Sequence, residues 1–332
     1  MNKISVAMTT YCGERYVRLQ LESLLSQQRR PDEVIICDDC SKDATADIVR
    51  QFIKENQLEN WHFEVNKQNK GFIKNFADAI SLTTGNIIFL CDQDDVWHQD
   101  KLSRMEKLFD SHPEAMAING SFRFVDGTGA PISVDDKPGT SNHGLIFRQI
   151  AAGVSEKISL LEIVKENISP GCTMAFRDTL RDVYLKNTLN SMPHDFELNI
   201  LAAYYKGLYF CNEELIDYRI HSANTIGLDT DASRNQMRFQ SGLEKRLEVL
   251  RGQKSVGEYL RRYIVTDDPE INQYIEYYCA YIKLREKCLT QRNPFVWLKM
   301  LRYYNVIKTN AIKRQYMGDL LYALRVEKLF ER

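Results

Sequence analysis

Four short runs of strand-forming residues between positions 4 and 90, each separated from the next by one stretch of helical periodicity, leave this chain few architectures to adopt. Residues 34–37 and 87–90 are unbroken apolar runs of the kind buried on both faces of a parallel sheet. Residues 4–8 are strand-like, and Trp61, Phe63 and Val65 alternate with polar neighbours. Between these runs Val17, Leu21, Leu24 and Leu25, then Ile48, Val49, Phe52 and Ile53, then Ile73, Phe76, Ala77 and Ile80 recur on single helix faces. Pro31 marks the turn after the first helix, Asp43 or Ser41 can cap the second, and Gly85 ends the third. The expected fold is α/β, a doubly wound, mostly parallel sheet flanked by helices, with ligands outside the carboxyl ends of the strands.

Three polar clusters follow such strand ends: residues 9–14, the pair Asp38-Asp39, and the triplet Asp92, Asp94 and Asp95. Turns that had only to be soluble would not need acid pairs after two separate buried strands, so the clusters are expected to converge on one crevice. Three carboxylates within four positions repel one another unless a cation neutralises them. Hard oxygen ligands suit Mg²⁺ or Mn²⁺, which share their coordination sphere with substrate phosphates. Metal-dependent phosphate-ester chemistry follows. The plainer alternative is a solvated acidic turn before a helix that starts near Asp100.

Further on, Leu102, Met105, Leu108 and Phe109 predict a helix, and residues 116–118 and 122–125 two strands. Residues 130–142, rich in Pro, Gly, Ser and Asp, predict a long loop that orders when something binds. An apolar strand is expected within residues 168–176, a helix opening at His194 or Asp195, and a last strand over 215–219, followed by His221. From about residue 229 strand signals vanish and helical spacing of Leu, Tyr, Lys and Arg runs to residue 332. Two domains are therefore expected, 1–228 and 229–332. Residues 283–332 hold twelve Lys or Arg against four Asp or Glu, inside a chain of formal net charge −1. Phe295, Trp297, Leu298, Leu301, Tyr303 and Tyr304 lie among them, which fits a helix in an anionic membrane interface or, alternatively, packing on the first domain or a second subunit.

The overall charge implies no nucleic-acid partner. Neither a signal-peptide pattern nor a bilayer-length apolar run is present, so a cytoplasmic protein, peripheral at most at the inner face of the membrane, is expected. Eight scattered cysteines predict free thiols; Cys37 and Cys40 form a Cys-x-x-Cys with no second pair to complete a zinc site.

In combination and order, residues 6–11 with Glu14, residues 35–43, Asn69-Lys70-Gly71-Phe72 with Asn75, residues 91–97, residues 171–176, His194-Asp195, and residues 218–221 with Asn224 and Gly227 resemble family-2 glycosyltransferases of the GT-A fold. The likeness is strongest to rhamnosyltransferase-like enzymes of bacterial surface polysaccharide synthesis and covers about the first 228 residues. It implies that Asp38 and Asp39 hold the base and ribose of a nucleotide-sugar, with Thr9, Tyr11, Glu14, Gly71, Asn75 and Arg219 around it. It further implies that Asp92 and Asp94, with Asp95 beside them, form the Asp-x-Asp site for Mg²⁺ or Mn²⁺. His221 would complete the metal shell or touch the diphosphate. Asp195 would be the catalytic base of an inverting transfer, although His194 stands where the family commonly has a glutamate. The implied donor is dTDP-rhamnose or a UDP-hexose, and the implied acceptor a polyprenyl-diphosphate-linked glycan of an O-antigen or capsule. Two other classes compete: a receiver-type phosphoacceptor module, which leaves the acids at 92–95 and Asp195 without a role, and a non-catalytic nucleotide- or glycan-binding assembly partner.

Overall fold

The unbroken apolar runs form the centre of a sheet. In the computed structural model, which describes residues 2–134, 138–221, 243–307 and 309–325, the chain divides into two units, Met1–Gly227 and Leu228–Arg332. The first unit opens with β1 (Ile4–Thr10), α1 (Val17–Leu25), β2 (Glu33–Asp38), α2 (Thr45–Glu55), β3 (Trp61–Val65), α3 (Phe72–Leu82) and β4 (Ile87–Cys91). It continues with β5 (Val96–Trp97), α4 (Lys101–Ser111), β6 (Ala117–Val125), β7 (Ser155–Lys157), α5 (Leu160–Lys165), a 3₁₀ turn (Gly171–Thr173), β8 (Met174–Arg177), α6 (Asp178–Asn187), α7 (His194–Tyr204) and β9 (Leu208–Arg219).

Among the described residues the strands form one nine-stranded sheet in the order β3-β2-β1-β4-β8-β6-β9-β5, with β7 alongside β9. β3, β2, β1 and β4 run parallel, β8 is antiparallel to both of its neighbours, and β6 and β9 are again parallel. Every residue of β1, β2 and β4 is buried, as their apolar runs require when helices cover both faces. β3 closes one edge and buries only Trp61.

The two strands expected at 116–118 and 122–125 are one strand. Asn119, Gly120 and Ser121 break the apolar pattern, yet they are buried, and the ladder to β9 absorbs them with register shifts. β9 likewise begins seven residues before the expected 215, because its polar middle, Asn212-Glu213-Glu214, hides the run. β5, β7, α5 and α6 were not legible as separate elements. Within the stretch expected as a loop, Ser141 and Asn142 are buried: Ser121 Oγ meets Asn142 Oδ1 at 3.0 Å, and Asn142 Nδ2 donates to the Ile168 carbonyl at 2.6 Å.

The second unit contains α8 (Leu243–Tyr263), α9 (Pro269–Gln291), α10 (Pro294–Ile307) and α11 (Asn310–Ala323). A buried ion network crosses it, with Arg285 and Arg246 both donating to Asp319, at 2.7 and 2.9 Å. Trp297 is packed, its indole stacked on Tyr316, whereas Phe295, Leu298 and Leu301 of α10 are exposed. Among the described residues no helix is long and apolar enough to cross a membrane. All eight cysteines are free thiols.

Candidate active site

β1, β2 and β4 end side by side, with Thr10 level with Asp38 and Met8 level with Cys91, so the loops after them share one crevice. Side chains tie those loops together. The Gln93 amide accepts from the Tyr11 N–H at 2.8 Å and donates to the Tyr11 carbonyl at 2.9 Å. Gly13 packs directly on the Gln93 amide, where a Cβ would lie 2.1 Å from Oε1. Asp38 is fully buried and accepts from Thr10 Oγ1 at 2.7 Å, Ser41 Oγ at 2.6 Å and the Ser41 amide at 2.8 Å. Asp39 accepts from the Lys70 and Gly71 amides at 2.7 and 2.8 Å and from Asn66 Nδ2 at 3.1 Å. It thereby fixes the start of α3, where Gly71 adopts a φ of +81° that a side chain would strain.

Two residues predicted to contact the ligand also brace the backbone. Glu14 accepts from the Ala44 amide at 2.9 Å, at the foot of α2, while Asp43 accepts from the Glu14 amide at 3.1 Å. Asn75 is buried and donates to the Cys37 carbonyl at 2.8 Å. Thr9 is buried beside these groups, and the Tyr11 side chain is exposed at the crevice rim.

The acid triplet splits by direction. Asp94 Oδ2 lies 2.9 Å from His221 Nε2, whose ring packs against Tyr16. Asp95 turns inward: Oδ1 accepts the Arg219 amide at 3.0 Å, and the buried carboxylate faces the Cys172 thiol. Arg219 Nε donates to the Asp94 carbonyl at 2.8 Å. The closest ligand set among the described residues is Asp92, Asp95 and Cys172, whose donor atoms all lie within 4.8 Å of one another. Expectation grouped Asp92 with Asp94 and His221; the structure pairs those last two with each other. Burial and the charges of Asp95, Asp94 and Asp195 raise the Asp92 carboxyl well above its ordinary range. Burial and Asp94 push Asp95 up to about 7. Asn224 and Gly227 lie outside the described residues.

Asp195 enters the crevice from the first turn of α7. Three asparagines orient it in series: Asn119 donates to Asn199 at 2.7 Å, Asn199 to Asn167 at 3.0 Å, and Asn167 to Asp195 Oδ2 at 2.8 Å. Burial raises its pKa against the opposing pull of the Phe196 amide and Asn167. His194 is a packing residue in this geometry, its ring stacked on Phe76 at 3.9 Å, and burial lowers its pKa to about 3. A Cβ on Gly171 would come within 3.1 Å of Asp195, so the 3₁₀ turn closes directly on the base candidate. Gln93, Asn167 and Asn199 had drawn no individual role from the sequence; their contacts span from 28 to 82 positions of chain, which local pattern does not report.

The model for Glycosyl transferase family 2 matches residues 5–182, more than half of the chain. This chain belongs to glycosyl transferase family 2. The solved structure of Staphylococcus aureus TarS 1–349 in complex with UDP-GlcNAc superposes with a TM-score of 0.63 at 16% identity, covering 99% of this chain and 91% of that one, so the GT-A fold is shared. In sequence, the curated S. aureus TarS, a poly(ribitol-phosphate) β-N-acetylglucosaminyltransferase, is 29% identical over 136 residues, 40% of this chain and 23% of TarS. Bacillus subtilis TuaG, named for teichuronic acid biosynthesis, is 31% identical over 126 residues, 38% of this chain and 49% of TuaG. An uncharacterized Mycobacterium bovis protein is 34% identical over 130 residues, 38% of this chain and 37% of that protein. The matched stretch thus spans about half the length of these relatives or less.

The family-2 chain has a donor set that fits a hard divalent cation. Two carboxylates, Asp92 and Asp95, meet the Cys172 thiol beyond the end of a buried strand, and a third, Asp94, lies against His221.

Proposed function

We propose that this chain is a metal-dependent, inverting glycosyltransferase that moves a hexosyl group from a nucleoside-diphosphate sugar to a hydroxyl of a growing bacterial surface polysaccharide. The observation that carries this is Asp195, a carboxylate fixed by Asn167 within the electrostatic field of Asp92. Its raised proton affinity suits a general base. In the reaction, the acceptor oxygen bonds to the anomeric carbon as the bond from that carbon to the diphosphate breaks. The hydroxyl proton passes to Asp195, and attack opposite the leaving group inverts the configuration. Asp92 and Asp94, with Asp95 and His221 beside them, would hold Mg²⁺ or Mn²⁺. When bound, the ion stabilises charge developing on the phosphate oxygens. Arg219, Asp39, Gly71, Thr9 and Tyr11 bound the nucleotide side of the crevice, which Asp38, Glu14 and Asn75 brace.

The TarS complex with UDP-GlcNAc supports a UDP-sugar as the first donor to test, ahead of dTDP-rhamnose. The acceptor proposed is a polyprenyl-diphosphate-linked glycan of a capsule, O-antigen or related wall polymer. A thermal-shift screen of UDP-hexoses, UDP-N-acetylhexosamines and dTDP-rhamnose, with and without Mn²⁺, tests the reading. Metal-dependent stabilisation followed by sugar transfer supports it. Nucleotide-sugar binding without transfer or hydrolysis would leave the assembly-partner alternative, and no stabilisation by any donor refutes both.

A peripheral membrane position belongs to the same proposal. α10 exposes Phe295, Leu298 and Leu301 together with Lys299 and Arg302, an apolar and cationic mixture suited to an anionic lipid interface. Co-sedimentation with anionic vesicles should weaken with salt and be lost in the Phe295→Ser/Leu298→Ser variant. Absence of binding at low salt refutes it.

A further inference from the structure

Asn142, at the end of the stretch expected as a loop, forms part of one wall of a cavity separate from the crevice. The cavity has a volume of about 740 Å³, inside the roughly 300–1,000 Å³ range of small-molecule sites, and lies where α4, β6, β9 and residues 142–153 meet. Among the described residues, none that lines it comes from the loops after β1, β2 or β4. Asn142, His143 and Gly144 take φ values of +53°, +58° and +81°, a left-handed run that the surrounding contacts have to hold in place. Asn142 Oδ1 accepts from Ser121 Oγ, and His143 Nε2 lies 2.7 Å from the Phe122 carbonyl oxygen. Elsewhere on the wall Arg104 is held between Asp100 and Glu213, at 2.5 and 2.8 Å. Asn212 fixes the rim, donating to the Ile150 carbonyl at 2.7 Å and accepting the Gly153 amide at 2.9 Å.

Charge and chemistry limit the occupant. Asp100, Glu213 and Glu214 outnumber Arg104 along the lining, which disfavours a second nucleotide or any other phosphate. Carboxylates, side-chain amides and a serine hydroxyl are suited to pairing with the donors and acceptors of neighbouring sugar hydroxyls, and Leu215 and the imidazole rings supply carbon surface. The wall also connects to the base candidate. Asn142 Nδ2 donates to the Ile168 carbonyl at 2.6 Å and to Ser169 Oγ at 3.2 Å. Within the same short segment Asn167 donates to Asp195 and Gly171 closes on it.

We propose that this cavity binds a neutral saccharide, the part of the acceptor glycan that lies away from the hydroxyl being glycosylated. The acceptor role rests on the transferase reading, whereas saccharide binding rests on the cavity alone. A glycan held at two places is distinguished from a free monosaccharide without any added contact at the reacting hydroxyl.

Saturation-transfer NMR on the full-length protein tests this, with N,N′-diacetylchitobiose, maltotriose and a rhamnose disaccharide as probes at millimolar concentration. At least one should bind without any nucleotide-sugar present, to wild type and to Asp195→Asn alike. Ala152 and Glu214 line the cavity from exposed positions, so Ala152→Trp, which fills it, and Glu214→Ala, which removes an acceptor, should keep the wild-type melting temperature. The first should abolish binding, and the second should weaken it about tenfold, the size of one hydrogen bond to a charged group. Binding that persists in Ala152→Trp overturns the proposal, as does failure of all three saccharides to bind wild type. If Ala152→Trp does not fold, undiminished binding by Glu214→Ala overturns it. Saccharide binding lost in Ala152→Trp, in a protein whose melting temperature no nucleotide-sugar shifts, supports the saccharide site and removes the transferase reading.

Discussion

Asp95→Asn should make the metal-free protein more stable, and only above the acid range. Asparagine keeps the side-chain shape and still offers Oδ1 to the Arg219 amide, now at 3.0 Å from the carboxylate. What it removes is a charge held where burial and Asp94 oppose it. In the folded protein the Asp95 pKa is raised from 3.8 to about 7. The folded state thus binds this proton more tightly than the unfolded chain does, so its contribution is fully present below pH 3.8 and is lost as pH rises through 7. The difference amounts to about 4 kcal/mol as a ceiling, at about 1.4 kcal/mol for each tenfold change in proton affinity. Urea unfolding in EDTA, followed by tryptophan fluorescence at pH 4 and pH 8, measures it. The expected result is a gain of roughly 2–4 kcal/mol for the variant at pH 8, shrinking toward zero at pH 4. Mn²⁺ should narrow the gap at pH 8 by stabilising the wild-type carboxylate. A variant that is less stable than wild type at pH 8, or one whose effect does not change with pH, would show that Asp95 is not held at electrostatic cost.

Asp195→Asn should reduce turnover by roughly 10²–10⁴ while donor binding, followed by thermal shift, stays near wild type; near-normal turnover would move the base elsewhere. Asn167→Ala removes a hydrogen bond that favours ionised Asp195, so the acid limb of the kcat/KM profile should move to higher pH, and an unmoved limb would separate Asn167 from the base. Asp94→Asn should leave the fold intact and abolish the dependence of transfer on Mn²⁺ together with most of the transfer; undiminished transfer in EDTA by wild type would remove the metal from the mechanism.

The half of the site built on strand ends was legible because its signal is local. An unbroken apolar run that stops in acid states both that a strand is buried on two faces and that its carboxyl end carries charge, and β2 and β4 behave in this way. The order β3-β2-β1-β4 then brings the acids of both strands to one crevice, as alternating strands and helices imply. The other half is written in residues whose type points the wrong way. Asn119 and Ser121 look like a loop between two strands, but partners on α7 and in the 141–142 turn make them compatible with the interior of β6. Glu14 and Asn75 sit in the ligand motif, and their contacts to helix and strand backbone are a second task that the motif does not announce. Lys101 looks solvated, since lysine almost always is, and only the carbonyl of Cys172, 71 positions away, reveals that it is interior.

Asp94 and Asp95 show why counting charges in a motif is not enough. As neighbours in sequence they present opposite ways, one toward His221 and the other into the protein against the Arg219 amide. Strict alternation beyond β4 would have put Asp92 with Asp94 and set Asp95 apart. The chain leaves strand geometry after Cys91, and Asp92 falls into one ligand set with Asp95 and Cys172 instead. The same four letters therefore encode two chemically different carboxylates, one against His221 and one buried against the Arg219 amide. Asp94→Asn is expected to remove metal-dependent transfer without a large stability gain, whereas Asp95→Asn is expected to raise stability at pH 8. If the two variants instead behave alike in both assays, the division of the triplet into an outward ligand and an inward, electrostatically strained acid is wrong.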